Sequence, residues 1–107
     1  MFKKAEFDIL AREDGRLYRM TETGWVFEID GIEFGLYRRG RYWKVTDLLT
    51  GYGLVATAPT RGEAAALFER RYFEKYLRTS KTAEYAKLVE AFGGTPRYVA
   101  KPRPAFA

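Results

Sequence analysis

Cysteine and histidine are both missing from the 107 residues, and their absence removes several chemistries together. Without them there is no disulfide framework, no Cys/His zinc site, no thiol nucleophile, no Ser-His-Asp triad and no imidazole acid or base. Serine is scarce as well, with Ser80 its only example. No apolar run is long enough for a transmembrane helix. The opening Met1-Phe2-Lys3-Lys4 runs into the acid-bearing Ala5-Glu6-Phe7-Asp8 and not into an apolar signal core. The expectation is therefore a cytoplasmic protein. Strong acidity is absent too: the formal net charge is +5, which argues against a mimic of DNA.

What is present fits one globular domain. Hydrophobic residues make up 47% and charged residues 31%, a balance that can build a core and is not that of a disordered chain. The length leaves room for a single domain with one modest core. Charge is unevenly spread, with −3 over residues 1–34 and +8 over residues 35–107. A basic half steers acidic partners by raising encounter rates, and it also keeps a small protein soluble.

The first 58 residues alternate with period two and are punctuated by x-Gly pairs at Asp14-Gly15, Thr23-Gly24, Asp30-Gly31 and Arg39-Gly40. Such pairs commonly form the central residues of two-residue hairpin turns. On that reading Asp30-Gly31 sets Ile29 opposite Ile32, Phe27 opposite Phe34 and Trp25 opposite Leu36. Arg39-Gly40 sets Leu36 opposite Trp43 and Phe34 opposite Val45. Thr23-Gly24 pairs Met20 with Phe27 and Tyr18 with Ile29, and Asp14-Gly15 pairs Ala11 with Tyr18 and Ile9 with Met20. A longer turn at 47–51 leads to Leu54, Ala56 and Ala58. The result is an antiparallel meander of about six strands with one apolar face.

Pro59 ends the sheet, and Thr60-Arg61-Gly62-Glu63 reads as a capping box. A helix over about 61–79 carries Ala65, Phe68, Tyr72 and Tyr76 on one stripe, with Phe73 and Leu77 beside it. It is expected to cover Trp25, Phe27, Ile29, Phe34, Leu36, Trp43 and Val45. A second helix over about 81–92 carries Tyr85, Leu88, Val89 and Phe92, and Gly93-Gly94 stops it. The fold class is α+β, a meander packed under one or two C-terminal helices. Residues 1–94 form the domain. Residues 95–107, with Pro96, Pro102, Pro104, Arg97, Lys101 and Arg103, read as an extended basic tail.

Three constellations bear on function. Gly51-Tyr52-Gly53-Leu54-Val55-Ala56 matches the G-x-G-x-x-[GA] dinucleotide fingerprint, but that motif needs a helix immediately after it. Here a strand follows, so the match reads as a hairpin turn. Glu28 and Glu33 oppose one another near Asp30, an arrangement that suits a cation or, more simply, a solvated edge whose repulsion is screened. No metal site and no cofactor is expected, and the remaining carboxylates, lysines and tyrosines lack the second partner that an activated catalytic group needs. Glu63 is a cap, Asp47 a turn residue, and Lys44 an amine without an activating neighbour.

The third constellation is non-catalytic. Tyr37 is expected opposite Tyr42 on the outer sheet face, with Lys44 following and Arg38, Arg39 and Arg41 at the hairpin tip. Exposed rings beside guanidinium groups suit single-stranded nucleic acid, where bases stack and cations follow phosphates. The same residues also serve to stabilise and solvate a hairpin. Arg70, Arg71, Lys75 and Arg78 form a secondary basic surface on the first helix, with Lys81 and Lys87 beyond.

The stretch Tyr42-Trp43-Lys44-Val45-Thr46-Asp47-Leu48-Leu49-Thr50-Gly51, followed by Thr60-Arg61-Gly62-Glu63-Ala64, resembles the strand–turn–strand–helix of small accessory proteins of phages and mobile elements, inhibitors of CRISPR nucleases among them. The resemblance covers about a quarter of the chain. Such proteins share no common active site, so it implies action by binding and assigns no residue. Two expectations follow: a binding protein that engages an acidic protein or ribonucleoprotein, or a module that binds nucleic acid directly. The sequence leaves the oligomeric state open.

Overall fold

A computed structural model describes residues 2–91 and 98–100. In chain order the elements are β1 (Lys3–Glu13), β2 (Arg16–Ile29), β3 (Ile32–Arg39), β4 (Tyr42–Asp47), β5 (Gly53–Ala58), α1 (Arg61–Arg71), α2 (Phe73–Thr79), α3 (Ala83–Ala91) and β6 (Tyr98–Ala100). The strands form one antiparallel sheet in the order β5-β4-β3-β2-β1-β6, and the architecture is α+β. Among the described residues no helix is long and apolar enough to cross a membrane.

Two hairpins follow the expected register. Asp14 and Asp30 have positive φ, as do Gly15 and Gly31 after them, the type I′ geometry that matches the twist of paired strands. They set Ile9 opposite Met20, and Phe27 opposite Phe34.

The other two turns differ from expectation. Thr23-Gly24 is no turn: β2 runs straight through it and pairs with β1 from Arg16 to Val26, with Gly24 opposite Ala5. The five strands before the helices are therefore fewer and longer than expected. The sixth comes from Tyr98–Ala100, inside the expected tail, which pairs with Ala5–Phe7 on the outer edge of β1. At the β3–β4 hairpin the central residues are Gly40-Arg41, not Arg39-Gly40. Arg39 therefore faces Tyr42 and Leu36 faces Val45. Gly40 has φ +62 and occupies the first central position, where a type II′ turn requires it. The register slides by two residues, an even number, so each side chain keeps its face while its partner changes.

On the helix side, Phe27, Ile29, Phe34, Leu36, Val45, Ala56 and Ala58 pack against Ala64, Phe68, Phe73 and Tyr76. Phe34 is 0% exposed, with ring centroids of Phe68 at 4.7 Å, Tyr76 at 4.9 Å and Phe27 at 5.6 Å. Such aromatic pairs add about 0.5–1.5 kcal/mol each beyond the area they bury. Trp25 and Trp43, expected in the core, lie half-buried at its margin. The Trp25 indole is covered instead by the Arg61 guanidinium, 4.1 Å from its ring centre.

The helix expected over 61–79 is broken at Tyr72, whose φ of −123 separates α1 from α2. Phe68, Phe73 and Tyr76 are buried and Tyr72 is only half so. The break thus presents the wholly apolar Phe73 to the core in place of one tyrosine of the uninterrupted stripe. Thr60 caps α1 by accepting the Glu63 N–H at 3.2 Å, and Thr82 accepts the Tyr85 N–H at 3.2 Å. Helix α3 buries none of its residues fully; Leu88 is exposed. Phe92 and Gly93-Gly94 lie outside the described residues, as does the tail apart from β6.

The sheet has a second apolar face. Ala5, Phe7 and Ile9 of β1 cluster with Val26, Tyr37 and Leu48. The β1–β2 ribbon curls far enough for Phe7 to reach β3, two strands away. Gly35 permits this approach, since a Cβ there would lie 2.9 Å from the Phe7 ring and 2.7 Å from Thr46 Cγ2. At Gly24 an added Cβ would collide with the Leu36 carbonyl. The ribbon then meets the β4–β5 loop, where the Leu10 N–H donates to the Gly51 carbonyl at 2.8 Å.

Candidate interaction surface

The β3–β4 hairpin divides the expected constellation. Arg38, Arg39, Arg41 and Tyr42 are exposed at its tip, Tyr42 to 53%. Arg39 and Tyr42 are cross-strand partners, so ring and guanidinium share one face of the hairpin. Arg38 lies on the other face, where its Nε donates to the Gly40 carbonyl at 3.1 Å and braces the turn.

Tyr37 does not join this surface. It is 5% exposed, lies opposite Lys44 and not Tyr42, and packs edge-on against Phe7 at 6.4 Å. The expected Tyr37–Tyr42 stacking pair is therefore absent, because the β1–β2 ribbon covers the face that the sequence reading left open. Burial raises the pKa of the Tyr37 hydroxyl; the nearby Arg39 opposes that rise by charge and hydrogen bonding, and Glu22 adds to it. Lys44 is half-buried. With Tyr37, Arg39, Leu10, Ala11, Gly53, Leu54 and Thr57 it lines an open cleft of about 560 Å³, which sequence reasoning did not foresee.

Of the secondary basic set, Arg70 and Arg71 end α1 while Lys75 and Arg78 belong to α2, and all four are exposed. Lys75 borders a small apolar hollow of about 150 Å³ with Leu54, Phe68, Tyr72 and Tyr76.

Glu28 and Glu33 do face one another. Lys3 meets Glu33 Oε2 at 3.4 Å and relieves part of their repulsion. Among the described residues no group of three or more acidic side chains is arranged to hold a metal ion.

Asp47 does more than turn the chain. Only 2% exposed, it accepts through Oδ1 from the Leu49 N–H at 3.1 Å and the Tyr76 hydroxyl at 3.4 Å. Through Oδ2 it accepts from Thr50 at 3.0 Å and Tyr85 at 2.6 Å. The Tyr76 hydroxyl also lies 3.1 Å from that of Tyr85, so one phenolic proton serves two contacts, and the closer donors to this buried carboxylate are Tyr85, Thr50 and the Leu49 N–H. The Tyr76 hydroxyl is pushed up to about 12, chiefly by burial, with Asp47 adding to the shift and the hydrogen bond with Tyr85 opposing it. Tyr85 is raised further, by burial and then by its bonds to Asp47 and Tyr76. Groups held in their neutral forms around a carboxylate serve structure here, tying α2 and α3 to the β4–β5 loop.

The Gly51–Ala56 fingerprint forms the end of that loop and the start of β5, with no helix following it directly. Compared with protein-family models, curated proteins and solved structures, the chain matches none.

Proposed function

We propose that this is a non-catalytic binding protein that engages an acidic partner, a protein or ribonucleoprotein, through the tip of the β3–β4 hairpin. The observation that carries the reading is the exposure of Tyr42 beside its cross-strand partner Arg39, with Arg38 and Arg41 exposed around them. A rigid ring and several guanidinium groups on and beside a two-residue turn bring contact area and charge at little entropic cost, and both residue types are enriched at binding hot spots. The sequence resemblance to phage accessory proteins and CRISPR-nuclease inhibitors, and the lack of histidine, cysteine and all but one serine, favour inhibition or accessory binding in the cytoplasm. Direct binding of single-stranded nucleic acid is the weaker alternative. With Tyr37 buried, Tyr42 alone remains at the tip for base stacking.

The test is capture of a partner by the wild-type protein and by two double variants at one ionic strength. Arg39→Glu with Arg41→Glu is expected to weaken binding by at least about tenfold, while the fold is retained. Arg71→Glu with Lys75→Glu is expected to change it much less. The reverse ranking would move the working surface to the helices. Affinity for any bare single strand that falls steeply with the logarithm of salt would favour the nucleic-acid alternative.

A further inference from the structure

The two ends of the sheet nearly meet. Strand β5 is the last strand on one side. On the other, among the described residues, β6 pairs with β1 at Ala5–Phe7, and beyond it the Leu10 N–H bonds to the Gly51 carbonyl. The junction is tight, since a Cβ on Gly51 would sit 3.1 Å from the Leu10 nitrogen. Leu10 and Ala11 of β1 and Gly53, Leu54 and Thr57 of β5 wall the cleft beside it, and Tyr37, Arg39 and Lys44, from strands between those two in the sheet order, complete its lining.

We propose that this cleft accepts an extended acidic peptide segment, which adds a strand between β5 and β1. The inference rests on the reading of an acidic partner given above, and names how part of that partner is held. Three observations support it. Among the described residues β5 ends the sheet and β1 has no strand partner on this side past Phe7 apart from the Leu10 bond to Gly51, and a strand edge is a template for main-chain hydrogen bonding. The β5 wall is open at its start, because a Cβ on Gly53 would meet nothing within 4 Å. The floor carries the cations Arg39 and Lys44 and, among the described residues that line the cleft, no carboxylate; Glu22 acts on Tyr37 from outside that lining. In an inserted strand every second side chain points to that floor, so alternate glutamates or aspartates complement it. The volume, about 560 Å³, lies in the usual range of roughly 300–1,000 Å³ for ligand sites.

The experiment titrates the full chain into a fluorescein-labelled, end-blocked Val-Glu-Val-Glu-Val-Glu peptide and reads anisotropy. Saturable binding is expected, at least about tenfold weaker for the same peptide with lysine replacing glutamate, and for one with alternate backbone nitrogens methylated. The methylated peptide needs no protein variant, so it tests strand pairing without disturbing the fold. Lys44→Glu is expected to weaken binding by a similar factor, and Glu69→Gln, exposed on α1 and outside the cleft lining, to leave it unchanged. Equal binding of the methylated peptide, or no saturable binding of the acidic one, overturns the proposal. So does displacement by oligothymidylate at lower concentration than by unlabelled peptide, which would make the cleft a nucleic-acid groove. Dimerisation that a free β5 edge accounts for, with no peptide bound, would give the site to a second copy and also overturn it. If the peptide fails while Arg39→Glu with Arg41→Glu still abolishes partner capture, the hairpin reading stands and the cleft falls. If the peptide binds and Arg41→Glu with Tyr42→Ala, two tip residues outside the cleft lining, leaves capture intact, the cleft stands and the hairpin reading falls.

Discussion

The Tyr85 hydroxyl donates to Asp47 Oδ2 at 2.6 Å across 38 residues of chain, and α3 depends on that contact more than on its own apolar side chains. None of its residues is fully buried, and among the described contacts Tyr85 packs against the helix-side core. Helices in proteins draw most of their stability from packing an apolar face, and α3, nine residues long, has little of that. A charge-assisted bond to a buried carboxylate supplies the tether instead.

Removing the carboxylate is therefore expected to cost more than removing either tyrosine hydroxyl. Asp47→Ala should lower unfolding stability by about 2–4 kcal/mol, because the Thr50, Tyr76 and Tyr85 hydroxyls and the Leu49 N–H lose their acceptor together. Tyr85→Phe should cost about 1–2 kcal/mol and release α3. Hydrogen exchange over 83–91 would report that release as lost protection while the sheet amides keep theirs. If α3 stayed protected in Tyr85→Phe, its attachment would lie elsewhere.

The same cluster sets an alkaline limit. Tyr37, Tyr76 and Tyr85 all have folded pKa values above the ordinary 10.0, Tyr76 at about 12. Above pH 10 the unfolded chain therefore binds fewer protons than the folded one, so stability falls as pH rises. The stability these groups contribute is whole below pH 10 and is lost as pH climbs through about 12 and beyond. Denaturant melts at rising pH should show this decline, and the Tyr76→Phe, Tyr85→Phe double variant should show a shallower one. Tyrosinate absorbance should show Tyr37, Tyr76 and Tyr85 ionising late, with unfolding, and the double variant should lose part of that late phase. Ionisation of these three ahead of unfolding would contradict the burial described.

The sheet was readable where two local signals agreed. Asp30-Gly31 supplied the turn, and the apolar alternation of Phe27, Ile29, Ile32 and Phe34 supplied the register. Gly40 misled because a Gly-x turn and an x-Gly turn differ by an offset that preserves alternation, so pattern alone cannot separate them. Thr23-Gly24 misled because a glycine required by close backbone approach looks the same as one required by a turn. Tyr37 was misplaced for a related reason: period-two alternation sorts residues onto two faces but does not say that both are covered. A signal was there, since Ala5, Phe7, Ile9 and Ala11 alternate on β1 as a buried set, and that set needs a covering face of its own. The Asp47 network was not legible, because its partners lie 29 and 38 residues away. Arg39, Arg41 and Tyr42 were read as exposed, and they are.

The two large aromatics of the hairpins should rank opposite to their size. Phe34→Ala, at the centre of the ring cluster, should cost about 3–5 kcal/mol. Trp43→Ala, which the sequence alone would put in that same range, should cost only about 1–3 kcal/mol, since the indole is half-buried at the margin. Urea melts of the two variants decide it. A larger loss for Trp43 would mean that the margin is packed more deeply than its exposure indicates.

The close approach of Phe7 to Gly35 lets the β1–β2 ribbon curl over β3. Gly35→Ala should destabilise by about 1–3 kcal/mol, because its Cβ would lie 2.9 Å from the Phe7 ring and 2.7 Å from Thr46 Cγ2 in a fully buried site. Phe7→Leu removes the outer ring atoms and should cost about 1–2 kcal/mol alone by leaving a small void. Combined, the two changes should cost less than their sum, since the methyl introduced in place of the Gly35 hydrogen occupies part of the space the ring vacates. Recovery should be partial, because the Thr46 methyl still crowds the new Cβ. Adding Thr46→Ser would remove that methyl and should recover more. Its hydroxyl can still donate to the Tyr52 carbonyl, as Thr46 does at 3.0 Å. Costs that simply add would show that Phe7 does not rest on Gly35, and with that the second face would lose its explanation for why Tyr37 is buried.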